Sequence, residues 1–151
     1  MYKRILVPID GSETGRLGLK EAIGLAADQK ATLCLFHVTN DLALMVEAAN
    51  TIEVEKYRVG LNEFGQNLLD EAAALASNSG VKSEAVLHDI RGGRVSDAII
   101  EEAQRNNCDL IVIGTHGRRG IRRALLGSDA EGVARQSPIP VLLVRDASAT
   151  K

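Results

Sequence analysis

Aromatic side chains are scarce in this chain of 151 residues: two Tyr, two Phe and no Trp, 3% in all. With so few rings on which bases could stack, a platform for single-stranded nucleic acid is not expected. Neither sign of charge dominates. Lys and Arg number 18, Asp and Glu 20, and the formal net charge is −2. A global basic field that would draw nucleic acid is therefore missing. Cysteine occurs twice, at Cys34 and Cys108, both in apolar surroundings. A chain of this size buries roughly two-thirds of its unfolded surface and needs no disulfide staple. The two thiols read as reduced, in a reducing compartment, and a cytoplasmic location is expected. No apolar run approaches the ~20 residues of a membrane span. After the basic Lys3 and Arg4, the run Ile5 to Ile9 stops at Asp10. That is too short for the apolar core of a secretory signal, so neither membrane nor nucleic acid is an expected partner.

What is present is an ordinary globular balance, 45% hydrophobic and 25% charged, with 14 glycines. Five of these glycines fall between Gly114 and Gly132. Strand and helix signals alternate along the chain. Ile5 to Ile9 is a β-branched apolar run ending in the turn Asp10-Gly11-Ser12. Ser12 suits a helix N-cap and Glu13 the first turn. Leu19, Ala22, Ile23 and Ala26 then recur at helical spacing. Thr32 to Val38 predicts a second strand, and Glu53 to Ser77 a long helix stopped by Asn78-Ser79-Gly80. Ser83 to Leu87 is polar enough for an edge strand. Val95, Ala98, Ile99 and Ala103 mark another helix, and Asp109 to Ile113 a buried strand. Ser128 to Gln136 predicts a short helix and Ile139 to Val144 the last strand. Residues 40–52 carry no clear signal, and Leu42 to Ile52 is expected to pack partly on the core. The pattern βαβαβαβαβ predicts a three-layer α/β/α sandwich around a doubly wound parallel sheet. One domain is expected over residues 1–146, with a frayed tail over 147–151.

In open α/β sheets, ligands sit beyond the carboxyl ends of strands, where the winding reverses. Two loops lie at such ends: Asp10 to Ser12, and the long segment from Gly114 to Ser128. The second holds four arginines (118, 119, 122 and 123) and no acid. Glycine lets backbone N–H groups approach an anion closely. The segment runs into a helix N-terminus, where free N–H groups and the dipole favour negative charge. Arginine suits phosphate. Together these features point to a phosphate-bearing ligand. A purely structural explanation competes: Ser128 as N-cap with Glu131 three residues on makes a capping box, and loop arginines are often only solvated. A P-loop is absent, and no two glycines are spaced to give G-x-G-x-x-G.

The spacing Gly114-x2-Gly117-x9-Gly127-Ser128 resembles the G-2x-G-9x-G-[S/T] pattern of the nucleotide-binding universal stress proteins. Ile5 to Ser12 is similar to that family's opening strand and turn, His37-Val38 to its second strand end, and Asp109 to Gly117 and Ser137 to Val144 to its closing half. The resemblance covers nearly the whole chain, leaving roughly residues 40 to 65 as the variable region. It implies five strands in the order 3-2-1-4-5, a Rossmann-like fold of the adenine nucleotide alpha hydrolase type, with ATP between the first and fourth strands. By position, Pro8, Ile9 and Asp10 would line the adenosine, with Asp10 at the ribose and Val38 at adenine. Ile113 and Gly114 would continue the wall. His116, Gly117 and Arg118 would approach the phosphates, and Gly127 and Ser128 would meet them at the helix start. The ligand so implied is ATP, or ADP or AMP, with Mg as a candidate ion. The resemblance also implies a homodimer through Val141 to Val144, and a regulatory stress-response module with at most slow ATP hydrolysis. A partner-binding dimer without nucleotide and a dedicated ATPase or nucleotidyl-transfer enzyme are the alternatives.

Asp129 departs from the family, which has a small or apolar residue there. Its carboxylate could repel a triphosphate, hold a bridging cation, or stand in solvent as a helix-N-terminal charge. Other constellations read as structural. Asp10, His116 and Ser128 lack the G-x-S-x-G turn of a nucleophile elbow. Cys34 and His37 are three apart on a strand, so their side chains diverge and core packing is expected rather than a metal. His88-Asp89 is expected at the surface.

Overall fold

The structure, a computed structural model, describes residues 1–40, 51–116 and 126–150. Among the described residues, five strands and four helices alternate: β1 (Arg4–Pro8), α1 (Glu13–Gln29), β2 (Thr32–Asn40), α2 (Thr51–Asn78), β3 (Ser83–Ile90), α3 (Val95–Arg105), β4 (Leu110–Gly114), α4 (Ser128–Gln136) and β5 (Val141–Val144). One 3-10 turn, Ala147–Thr150, follows where a frayed tail was expected.

All strand pairs are parallel, and the order is β3-β2-β1-β4-β5. Strand side chains alternate between two separate cores, as the pleat requires. Ile5, Val7, Leu33, Leu35, Leu110 and Val112 meet α1 and α2 through Leu19, Ala22, Leu69 and Ala72. Leu6, Cys34, Phe36 and Ile111 meet α3 and α4 through Ala98, Ile99, Ala130 and Val133. The expected three layers are therefore present. The chain winds outward from β1 to β3, then crosses to β4 on the other side of β1. The winding reverses between β1 and β4, so their carboxyl ends flank a crevice.

Cys34 and His37 are both buried, but Cys34 lies in the α3/α4 core while the His37 ring packs against Gly65 of α2, so they diverge. Cys34 and Cys108 are free thiols. The hydrogen bond with Cys108, and then burial, push the Cys34 thiol up. Two sequence expectations are corrected. β2 and β3 run further than their apolar cores, pairing Val38 with His88, Thr39 with Asp89 and Asn40 with Ile90. His88 and Asp89 are consequently half-buried strand residues, not surface ones. The Arg58 Nε lies 3.2 Å from the Asp89 carboxylate, and the His88 ring meets Phe36 edge-on at 6.3 Å. Local polarity hid a strand end whose stability comes from its neighbours. The segment 42–52 falls largely outside the described residues.

Candidate functional site

The turn after β1 is held by its own side chains. Asp10 Oδ1 accepts from the Ser12 backbone N–H at 2.9 Å and from Ser12 Oγ at 2.6 Å. Ser12 Oγ in turn accepts from the Gly15 N–H at 3.0 Å, capping α1 as expected. Gly11 has φ +79°, the left-handed region that favours glycine. The second carboxylate oxygen of Asp10 has no hydrogen bond among the described residues.

The end of β4 is bound directly to this turn. Thr14 Oγ1 donates to the His116 carbonyl and accepts from the His116 N–H, the latter at 3.3 Å. Gly114 and α1 are in backbone contact: a Cβ on Gly114 would lie 2.8 Å from the Gly15 nitrogen. Gly18 continues the approach one turn on, its own Cβ position being 3.4 Å from the Gly114 nitrogen. A helix can sit this close to a strand only where side chains are missing. Thr115 then joins the third element, its carbonyl accepting from the Gly127 N–H at 2.7 Å. Its hydroxyl lies 3.0 Å from His116 Nδ1. Buried His116 Nε2 has no partner among the described residues.

At the head of α4 the expected capping box is absent. The N-cap is Gly127, with extended φ −59° and ψ 151°, and Ser128 is already helical. Glu131 donates its N–H to the Gly127 carbonyl at 2.8 Å, while its carboxylate reaches Arg135 at 3.2 Å. The bond from Gly127 to Thr115 sets where the helix begins, displacing the serine by one position. The helix therefore starts without a side-chain cap from its N-cap residue, at the end where backbone N–H groups point out along the axis. Ser128 and Asp129 are exposed in this first turn.

The remaining expected residues divide as follows. Pro8, Ile9 and Asp10 stand at the β1 end, Ile113 and Gly114 at the β4 end, and Val38 near the end of the neighbouring β2. Ile9 and Ile113 are buried, and Pro8 and Val38 partly so. The Ile9 carbonyl lies 2.6 Å from His37 Nδ1. A carbonyl only accepts, so Nδ1 carries the proton. Gly117 and Arg118 lie outside the described residues. Thr14, Thr115 and the pair Gly15 and Gly18 were not anticipated. Glycine at i and i+3 on a helix was the only available signal. Among the described residues no group of three or more His, Cys, Asp or Glu could hold a metal ion, and no helix is long and apolar enough to cross a membrane.

Comparison with known proteins places this geometry among relatives. Universal stress protein MJ0531 of Methanocaldococcus jannaschii is 34% identical over 96% of this chain and 83% of its own length. The structure of MJ0577, a universal stress protein of the same organism, superposes with a TM-score of 0.85 at 28% identity, covering 97% of both chains. A universal stress protein solved in complex with cAMP has a TM-score of 0.65 at 26% identity, covering 95% of this chain and 97% of its own. The family model described as "Universal stress protein family" matches residues 1–145. With nearly its whole length matched and its five strands in the expected order, the chain belongs to the universal stress protein family.

Proposed function

We propose that the crevice between the carboxyl ends of β1 and β4 binds an adenine nucleotide, ATP or its diphosphate or monophosphate. The observation that carries this reading is the uncapped start of α4, held in the crevice by the bond from Gly127 to Thr115. A helix N-terminus without a side-chain acceptor favours an anion through its free N–H groups and its dipole. His116 Nε2, buried and unpartnered nearby, is a second group suited to a ligand oxygen. The solution of a cAMP complex for one relative supports the adenine class.

Each residue then has a role. Pro8, Ile9, Val38 and Ile113 supply aliphatic walls for the base. Asp10 offers its second oxygen to a ribose hydroxyl, the first being held by Ser12. Gly127 and Ser128 meet phosphate with backbone N–H groups and a hydroxyl, and His116, Gly117 and Arg118 add donors. Gly114 contributes by letting α1 close on β4. Asp129 points a charge out of the first turn. A magnesium ion would be carried chiefly by the phosphates themselves. The domain over 1–146 serves as a cytoplasmic regulatory module of the stress response, with at most slow hydrolysis. It pairs with a second copy through β5, which among the described residues pairs only with β4.

Calorimetric titration with ATP, ADP, AMP and cyclic AMP tests the reading. Saturable binding of at least one is expected, and so is its loss in Gly127→Val, where a branched side chain enters the phosphate approach. Absence of binding to all four, or affinity unchanged in both Gly127→Val and Gly117→Val, rules this site out.

A further inference from the structure

The two cysteines lie in one core, on the α3/α4 face of the sheet, with β1 between the segments that carry them. Cys34 pairs with Leu6 of β1. Cys108 closes the turn after α3, where Asn107 has φ +52°. The next residue, Asp109, donates its N–H to the Arg4 carbonyl at 2.9 Å. Cys34 is fully buried, and Cys108 keeps 6% of its surface exposed. Arg4 stands two residues before Leu6 and so points to the same face. Its side chain spans the surroundings of both thiols. Nε donates to the Asn106 carbonyl at 2.8 Å, two residues before Cys108. Nη2 reaches the carboxylate of Glu84, the register partner of Cys34, at 2.7 Å. The thiols act on each other unequally. The hydrogen bond from Cys34 holds the Cys108 thiol down against burial, with the Arg4 guanidinium assisting, while Cys34 is pushed up. Cys108 is thus the nucleophile of the pair and Cys34 the thiol that keeps its proton.

We propose that Cys34 and Cys108 form a redox site that a hydroperoxide closes to an intramolecular disulfide. The Cys108 thiolate attacks one peroxide oxygen. The O–O bond breaks, sulfur takes the hydroxyl as a sulfenic acid, and hydroxide leaves with the electron pair. The Cys34 sulfur then attacks the Cys108 sulfur. The S–O bond breaks, and the departing hydroxide leaves as water with the Cys34 proton. The two thiols together give two electrons to one peroxide. Cysteines that only fill a core need neither a cation nor a second thiol beside them. Hydrogen peroxide is small and uncharged, which suits the narrow opening left at Cys108. The bridge ties β2 to the start of β4 across β1, so closing it draws together two segments on either side of the central strand. Both cysteines stand toward the amino ends of the strands, opposite the crevice, so the site does not depend on the nucleotide reading.

The test is non-reducing peptide mapping of the whole, reduced protein after hydrogen peroxide and then alkylation. One bridge between Cys34 and Cys108 is expected, with the loss of two hydrogen atoms per chain and full reversal by dithiothreitol. In Cys34→Ser, Cys108 should stop as a sulfenic acid that dimedone traps. In Cys108→Ser, Cys34 should stay reduced. Arg4→Gln should slow oxidation several-fold, whereas Glu84→Gln, which keeps the guanidinium, should not slow it. The map of the parent decides the pairing even where a serine variant does not fold. The proposal is overturned if both thiols of the folded protein resist peroxide, if Cys108 proceeds to sulfinic acid unpaired, or if the bridge joins two chains. Oxidation whose rate rises with urea in step with global unfolding also overturns it, since the chemistry then belongs to the unfolded chain.

Discussion

A Cβ placed on Gly114 would lie 2.6 Å from both the carbonyl carbon and the carbonyl oxygen of Thr14. The glycine that opens the G-2x-G-9x-G spacing is therefore also the point where α1 closes on the end of β4. Backbone cannot retreat from such a contact as a flexible side chain can. Gly114→Ala is expected to destabilise the ligand-free protein by about 1–3 kcal/mol, the usual cost of overpacking. Thermal or urea unfolding without nucleotide is the measurement. A purely ligand-binding glycine would leave that midpoint where it was.

Gly132 makes a similar contact on the other face, its Cβ position being 2.6 Å from Ser96 Oγ and 2.7 Å from Ser96 Cβ. Ser96 is buried at the start of α3. Gly132→Ala gains helix propensity but meets this wall, and a net loss of about 1 kcal/mol or more is expected. Combining it with Ser96→Gly should recover part of that loss. A double-mutant cycle in urea that returned no coupling would show that α3 and α4 do not cross through this pair.

Ser12 and Asp10 separate capping from charge. Ser12→Ala removes the acceptor of the Gly15 N–H and should cost about 1 kcal/mol. Asp10→Asn keeps an oxygen for Ser12 and should cost less in stability. If Asp10 also holds the ribose as a charged acceptor, the asparagine variant should lose nucleotide affinity with little loss of thermal midpoint. The two readouts are an unfolding curve and a calorimetric titration.

Acid should weaken one tie between strands. Arg4 donates to Glu84 at 2.7 Å, linking β1 to β3 across β2. That hydrogen bond, and then the guanidinium charge, hold the Glu84 carboxyl below its usual range. Its folded pKa lies below its unfolded one. The contribution is therefore complete above the unfolded value of about 4.3 and fades as pH falls through the folded value. The difference in thermal midpoint between the parent and Glu84→Gln should be small at neutral pH, as for an exposed pair, and should vanish in more acid buffer. A gap that widened on acidification would contradict this sign.

The β5 edge carries the dimer expectation. Leu143, 37% exposed, stands in the middle of that four-residue strand. Leu143→Lys places charge on the edge, a common device against strand pairing. Sedimentation velocity should show a dimer for the parent and a shift toward monomer for the variant. An unchanged dimer would move the interface elsewhere.

Much of this molecule is determined by short-range pattern. The alternation of β-branched runs with amphipathic stretches specifies the order of elements and the layered parallel fold, because each period buries one face or one stripe. Ser12 as a helix cap follows from its own side chain reaching an N–H three residues on. Glycine spacing from Gly114 to Gly127 identifies the loop and the family.

Tertiary structure decided the rest. Ser128 and Glu131 carry the local signature of a capping box, yet α4 begins at Gly127 because its N–H is taken by Thr115, on another element. His88 and Asp89 look like surface residues until β2 pairs with them. Gly114 and Gly132 are small because helices distant in sequence cross them, and Thr14 matters through a residue 102 positions away. The meeting of Cys34 with Cys108 likewise exists only once β2 and β4 are laid on either side of β1. Periodicity and capping act within a few residues and can be read along the chain. Contacts between distant segments depend on strand register and crossing distance, which no local stretch encodes.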